Sequence, residues 1–202
     1  MDSRAFVAFV GVGFLLFRLI TTVIIDATST YAGSMPFIHD GHQRLTDYLL
    51  RTVARSSFYF LMAVPLLAFA LLATDRFTPA GLGMAAVGLL VVLVNVVMYA
   101  MVFSLLGARF PDLSEFMGSA IMFAFLVTPV VWYPTAAPEG TVHGALMRAN
   151  PLHHLLAIVR APLLGEAIES LTWVYLGITT VVGLVLASWA YARFARRVAV
   201  WL

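Results

Sequence analysis

The chain is 202 residues long, 62% hydrophobic and 11% charged; one soluble core could not hide that much apolar surface, so the sequence predicts an integral membrane protein. Its twelve basic residues are all arginine and leave a formal net charge of +2, too small and too scattered for a nucleic-acid partner. Cysteine is absent, which excludes a disulfide framework and thiolate metal ligation.

About 20 apolar residues cross a bilayer as a helix. Five runs are long enough: residues 5–25, 57–73, 80–106, 113–132 and 171–192. Lipid cannot satisfy backbone polar groups, so such runs form helices rather than strands. The expected fold is a single all-α transmembrane domain over residues 1–202 with five spans. The first run exceeds the apolar core of a signal peptide and lacks a basic start followed by a small-residue cleavage site, so it reads as a span. Inside it stands Arg18, whose charge costs about 3 kcal/mol in a span. Two readings meet that cost equally. Arg18 occupies a protein-facing or aqueous functional position, or it snorkels to headgroups beyond Ile25, about 10 Å of helix away.

Between the first two runs, His39 and His42 flank Asp40 and Gly41 in what reads as a solvated turn. Residues 44–55 are then amphipathic. Leu45, Tyr48, Leu49 and Thr52 share one helical face, and Arg44, Asp47, Arg51 and Arg55 the other, with Asp47 spaced to pair Arg51. This predicts a cytoplasmic surface helix. In the third run Gly81, Gly83 and Gly88 lack the Lys and Ser or Thr of a phosphate loop and suit helix packing. Asn95 and Tyr99 lie one turn apart there, either lining a path or bonding between helices. Residues 107–112 form a short connection, and two prolines and two glycines mark 133–144 as a turn region. Last before the final run comes a second amphipathic stretch. Leu152, Leu155, Leu156, Val159 and Leu163 form an apolar stripe opposite Asn150, His153, His154 and Arg160, bracketed by Pro151, Pro162 and Gly165. It predicts an external helix dipping into the bilayer edge, with its polar face toward water or headgroups. The adjacent histidines point about 100° apart with no third ligand nearby in sequence, so a metal site is not expected.

Arg44, Arg51, Arg55, Arg109, Arg193, Arg196 and Arg197 fall on one side of a five-span arrangement, and Arg4, Arg76, Arg148 and Arg160 on the other. The positive-inside rule puts the first side in the cytoplasm and the N-terminus of this chain outside. The sequence holds no HExxH zinc pattern, no GxSxG elbow, no nucleotide-binding loop and no carboxylate pair within the spans, so an enzyme is disfavoured.

Two stretches carry a resemblance. One is Leu106-Gly-Ala-Arg-Phe-Pro-Asp-Leu113, with the following run ending Thr128-Pro-Val-Val-Trp-Tyr-Pro134; the other is Asn150-Pro-Leu-His-His-Leu-Leu-Ala-Ile-Val-Arg-Ala-Pro-Leu-Leu-Gly165. Together they resemble the permeases of ABC type 2 exporters for polysaccharides and polyol phosphates, over the C-terminal half of the chain. The resemblance implies a homodimeric channel in a bacterial inner membrane, two separate ATPase subunits docked from the cytoplasm, a lipid-linked glycan as substrate among the membrane lipids, and no cofactor of the chain's own. It assigns the coupling contacts to Arg44, Asp47, Arg51, Arg55, Arg109 and Asp112, leaves Arg18, Asn95 and Tyr99 as intramembrane polar candidates, and makes Asn150, Pro151, Arg160 and Gly165 part of external re-entrant helices. Members of that family usually carry six spans preceded by an amphipathic cytoplasmic helix, and often a basic residue where Pro111 stands. The resemblance therefore implies a start that lacks that helix and the first span. The other readings are an ABC type 2 drug or lipid exporter and a membrane-embedded glycan-modifying transferase.

Overall fold

The computed structural model describes residues 3–41, 44–74, 77–138 and 140–202; the expectations for His42 and Arg76 fall outside them. Among the described residues the fold is all-helical, without strands. Its helices are α1 (Ser3–Thr30), α2 (Met35–His39), α3 (Leu45–Leu72), α4 (Leu82–Arg109), α5 (Leu113–Val127), α6 (Val142–Ala149), α7 (Pro151–Leu163), α8 (Ser170–Phe194) and α9 (Val198–Trp201). Four segments are long and apolar enough to cross a membrane: Ala5–Thr30, Leu45–Leu72, Pro79–Arg109 and Ser170–Trp201. The chain is an all-α membrane protein.

α1 is the central helix. Ala5, Ala8, Phe9, Val12, Leu16, Leu19, Ile20, Val23 and Ala27 recur at helical spacing and are all buried, against α3, α4, α5 and α7. Lipid supplies no hydrophobic drive between spans, so helices associate through close packing, which small residues permit. α4 uses them twice. A Cβ at Gly107 would overlap the Thr28 carbonyl of α1, and one at Gly81 would overlap the Pro162 carbonyl of α7. A Cβ at Gly88, seven residues on, would come within 2.7 Å of the Ile158 carbonyl. Gly83, on another face, has nothing within 4 Å. Two of the three glycines expected to serve packing thus do so.

These contacts fix the course of α7. Its end lies at Gly81 and its middle at Gly88, and its start shares a cavity with Asn95. It therefore runs antiparallel to α4 and begins about 20 Å below the start of that helix, since fourteen residues separate Gly81 from Asn95. At the opposite end a second cluster joins Tyr31, Tyr48, Leu105, Ala108, Ala190 and Val198. It gathers the end of α1, the start of α3, the end of α4, the end of α8 and α9.

Three elements differ from expectation. Residues 44–55 are not a separate surface helix; they are the first turns of α3, which runs unbroken for 28 residues. No glycine or proline interrupts the sequence before Pro65, so nothing stops the helix where polarity changes. Asp47 does not pair Arg51; its Oδ2 accepts from the Arg44 backbone N–H at 3.2 Å and closes the helix start. The expected span at 113–132 is helical only over the 15 residues Leu113–Val127, about 22 Å of rise. Thr128 is extended, at φ −85° and ψ 132°, because the ring of the following Pro129 disfavours a helical residue before it.

Candidate functional site

The break after α5 brings two buried polar side chains together, Thr128 and Arg160. An unwound segment inside a bundle exposes carbonyls and N–H groups that must find partners. Thr128 is fully buried, and its Oγ1 accepts from Asn150 Nδ2 at 2.7 Å. The Pro129 carbonyl accepts from Arg160 Nη1 at 2.7 Å. Asn150 serves two roles, since its Oδ1 also accepts from the Leu152 N–H at 3.0 Å and caps α7, with Pro151 preset at the first helical position. The guanidinium carbon of Arg160 lies 3.9 Å from the centroid of the Phe9 ring, and Tyr133 packs on the same ring at 4.3 Å. Gly13 leaves the room: a Cβ there would come within 3.1 Å of Arg160 Nη1. Just past the end of α7 stands Gly165, whose φ of +67° is left-handed backbone that glycine adopts freely.

The expectation that Asn150, His153, His154 and Arg160 form a water-facing side of α7 is overturned for three of them. Arg160 is 2% exposed, His153 4% and His154 0%; Asn150 is half-buried. α6, α8 and the break cover the face opposite α4, so both sides of α7 are inside. His154 Nε2 bonds the Arg148 carbonyl at 2.8 Å, its Nδ1 bonds Thr172 Oγ1 at 3.0 Å, and its ring stacks on Tyr175. His153 Nδ1 is buried with no partner. Among the described residues no group of three or more His, Asp or Glu side chains could hold a metal ion.

Below the start of α7 lies a cavity of about 350 Å³ lined by α1, α4, α5, α7 and α8. Asn95 and Tyr99 border it. Both also bond between helices: Asn95 Nδ2 donates to Thr180 Oγ1 at 2.9 Å and to the Val91 carbonyl, and the Tyr99 hydroxyl donates to the Thr179 carbonyl at 3.0 Å. Asn95 Oδ1 is left without a partner. Arg18 faces the other side of α1. It is exposed, in a seam between α1 and α3.

The coupling candidates sit at one end of the bundle. Arg44, Asp47, Arg51, Arg55, Arg109 and Asp112 are all exposed. Arg55 Nη2 meets Asp26 Oδ2 at 2.8 Å, joining the end of α1 to α3. Arg109 lies 5.4 Å from the Phe110 ring centroid, and Asp112 precedes the first turn of α5. Close by, Tyr31 is fully buried, and burial pushes its phenol up to about 12, with Ser104 opposing and Tyr191 adding to the rise.

No protein-family model matches this chain, and no curated protein matches its sequence. The clamp of Arg160 and Asn150 on the 128–130 break was not foreseen. Its one sequence signal was Thr-Pro inside an apolar run, which disfavours helix at the threonine but does not name what bonds the freed carbonyl.

Proposed function

We propose that this chain is the permease subunit of an ABC exporter that carries lipid-linked polysaccharide or polyol phosphate polymer across a bacterial inner membrane, driven by a separate ATPase. The observation that carries the reading is a contact. The two stretches that resemble the export family lie 22 and 31 residues apart at their bonded positions, yet Asn150 bonds Thr128 and Arg160 bonds Pro129. Residues that resemble a family only as a spaced set thus act as one structural unit.

In this reading α6 and α7 are re-entrant, entering from the external side, and α7 starts near the middle of the bilayer. Irregular backbone is tolerated at that depth where protein satisfies it, as the Arg160 and Asn150 bonds do. α5 is the fifth crossing. Its about 22 Å of helix is completed by the extended residues after Val127, which add about 3.3 Å each. The arginine-bearing end faces the cytoplasm, where Arg51 and Arg109 meet the ATPase. Two copies form the channel, and ATP binding reshapes it.

Deleting the gene in its host tests this. The expected outcome is loss of a surface polymer with accumulation of the lipid-linked precursor on the inner leaflet. Sensitivity to small amphiphiles with surface polymer intact would favour the drug or lipid exporter. A polymer that is exported but chemically altered would favour the transferase.

A further inference from the structure

Arg18 is exposed and stands at the middle of the Ala5–Thr30 span. A charge at that depth is kept only against protein or water. Snorkelling does not serve it. The nearer headgroups lie beyond Ile25, about 10 Å along the helix, whereas the Cα–Cβ bond of every helical residue tilts toward the helix N-terminus and starts Arg18 off the other way. Nor does a carboxylate. The one ion pair among the described residues joins Arg55 to Asp26, and residues 3–25 and 48–74 contain no Asp or Glu.

The seam between α1 and α3 is polar on one side of Arg18 and apolar on the other. Toward the arginine-rich end, Arg18, Thr22, Asp26 and Ser29 recur at helical spacing on α1, and Tyr59, Arg55 and Thr52 do so on α3. The two rows meet. Arg55 Nη2 bonds Asp26 Oδ2 at 2.8 Å, and the Thr30 and Thr52 hydroxyls lie 3.0 Å apart. A pocket of about 320 Å³ opens among Asp26, Ser29, Thr52 and Arg55, and a second of about 220 Å³ holds Arg18 with Thr22 and Tyr59. Past Arg18 the seam is lined by Val7, Phe14, Leu66 and Phe69. Lipid cannot solvate the polar rows, and water entering from the arginine-rich end can.

We infer that the polar half of the α1–α3 seam is a water-filled vestibule, open at the arginine-rich end and closed at Arg18, that takes a phosphate group of the carried polymer. Asp26 offsets Arg55 and nothing offsets Arg18, so the inner end is positive and favours anions. A guanidinium meets two phosphate oxygens at once. A neutral glycan gains nothing from that charge, so of the two polymers in the exporter reading the seam selects the polyol phosphate. The choice of polymer rests on that reading; the vestibule does not.

The chain has no cysteine, so single cysteines report water directly. In nanodiscs, where both faces meet the reagent, Thr22→Cys should react with water-soluble methanethiosulfonates. Its ratio of anionic to cationic labelling rates should exceed that of free cysteine by about tenfold. Adding Arg18→Gln should bring the ratio down to that of free cysteine, and Arg18→Lys should keep it high, with circular dichroism showing unchanged helix content in both. Phe14→Cys, one turn to the other side of Arg18, should stay unlabelled. A glycerol phosphate oligomer should slow labelling of Thr22→Cys, inorganic phosphate at the same phosphate concentration should slow it less, and a neutral dextran should leave it unchanged. An unreactive Thr22→Cys would mean that the seam is dry, and a labelled Phe14→Cys that it is not closed at Arg18; either overturns the vestibule. A rate ratio unmoved by Arg18→Gln would remove Arg18 from the site. Protection by dextran, or equal protection by inorganic phosphate, would overturn the polymer phosphate as its occupant. Labelling needs neither ATPase nor export, so it fails separately from the gene-deletion test of the exporter reading.

Discussion

Arg160 is 2% exposed and has no carboxylate within ion-pair distance among the described residues. What holds it is one short bond to the Pro129 carbonyl and the face of Phe9. A buried donor and acceptor that lose each other cost more than the net worth of the bond, because the remaining partner stays dry. Arg160→Ala should therefore lower unfolding stability by about 2–4 kcal/mol, read as the thermal midpoint in detergent. Arg160→Lys should fall between, since an ammonium keeps charge but not the planar face over the ring. An unchanged midpoint in the alanine variant would show that the clamp contributes nothing. Tyr31 gives a residue-scale prediction in pH. Its phenol is held up to about 12 by burial against the ordinary 10, so the folded state favours the neutral form. That stability is present in full below pH 10 and is lost between pH 10 and about 12, at about 1.4 kcal/mol per pH unit. Tyr31→Phe should flatten this alkaline loss. The same fall in both proteins would assign it elsewhere.

α4 shows how one helix can carry two packing faces. Gly81 and Gly88 meet α7 backbone, and Gly107 meets α1 backbone, while Gly83 meets nothing. Gly88→Leu should push α7 away and cost about 1–3 kcal/mol by overpacking. Gly83→Ala should be neutral or add about 0.5–1 kcal/mol of helix propensity. Thermal unfolding of the two variants side by side checks the assignment, and equal effects would sink it. The same helix marks what the sequence could and could not disclose. Its apolar length and small residues announced a packed span, but which glycine faced which neighbour depends on tertiary contacts that periodicity does not encode. α3 was half legible. The amphipathic pattern from Arg44 to Arg55 and the apolar run after it were both correct, yet their fusion into one helix follows from a missing breaker. α7 was legible as a helix with Asn150 and Pro151 at its start and misread in its environment. Three polar side chains on one face signal water only when no other helix covers them, and here α6, α8 and the 128–130 break cover Arg160 and the histidines.

At the scale of the whole molecule the chain has two unlike ends. One buries its polar groups against the α5–α7 clamp. The other carries Arg44, Arg51, Arg55, Arg109, Arg193, Arg196 and Arg197 around the small cluster of Tyr31, Tyr48 and Val198. In the exporter reading that second end meets the ATPase, and its arginines are not equivalent. Arg55 is already engaged with Asp26, so reversing its charge would set two carboxylates together and disturb the α1–α3 junction. Arg51 lies one turn earlier, exposed, beside a polar pocket that it shares with Asp26, Ser29 and Thr52. Reversing it changes the surface a partner would touch and leaves the ion pair in place. The bland alternative is that Arg51 meets only anionic lipid, an attraction of about 1 kcal/mol near the surface. The two differ in what they predict for a complete transporter. If Arg51 transmits the push, Arg51→Glu should insert normally and keep its ATPase, yet lower transport and substrate-stimulated ATP hydrolysis together by about fivefold, the equivalent of about 1 kcal/mol of contact energy. If it is a lipid contact, transport should proceed at the wild-type rate with the ATPase still bound, and coupling would then have to pass through Arg109 and the start of α5 instead.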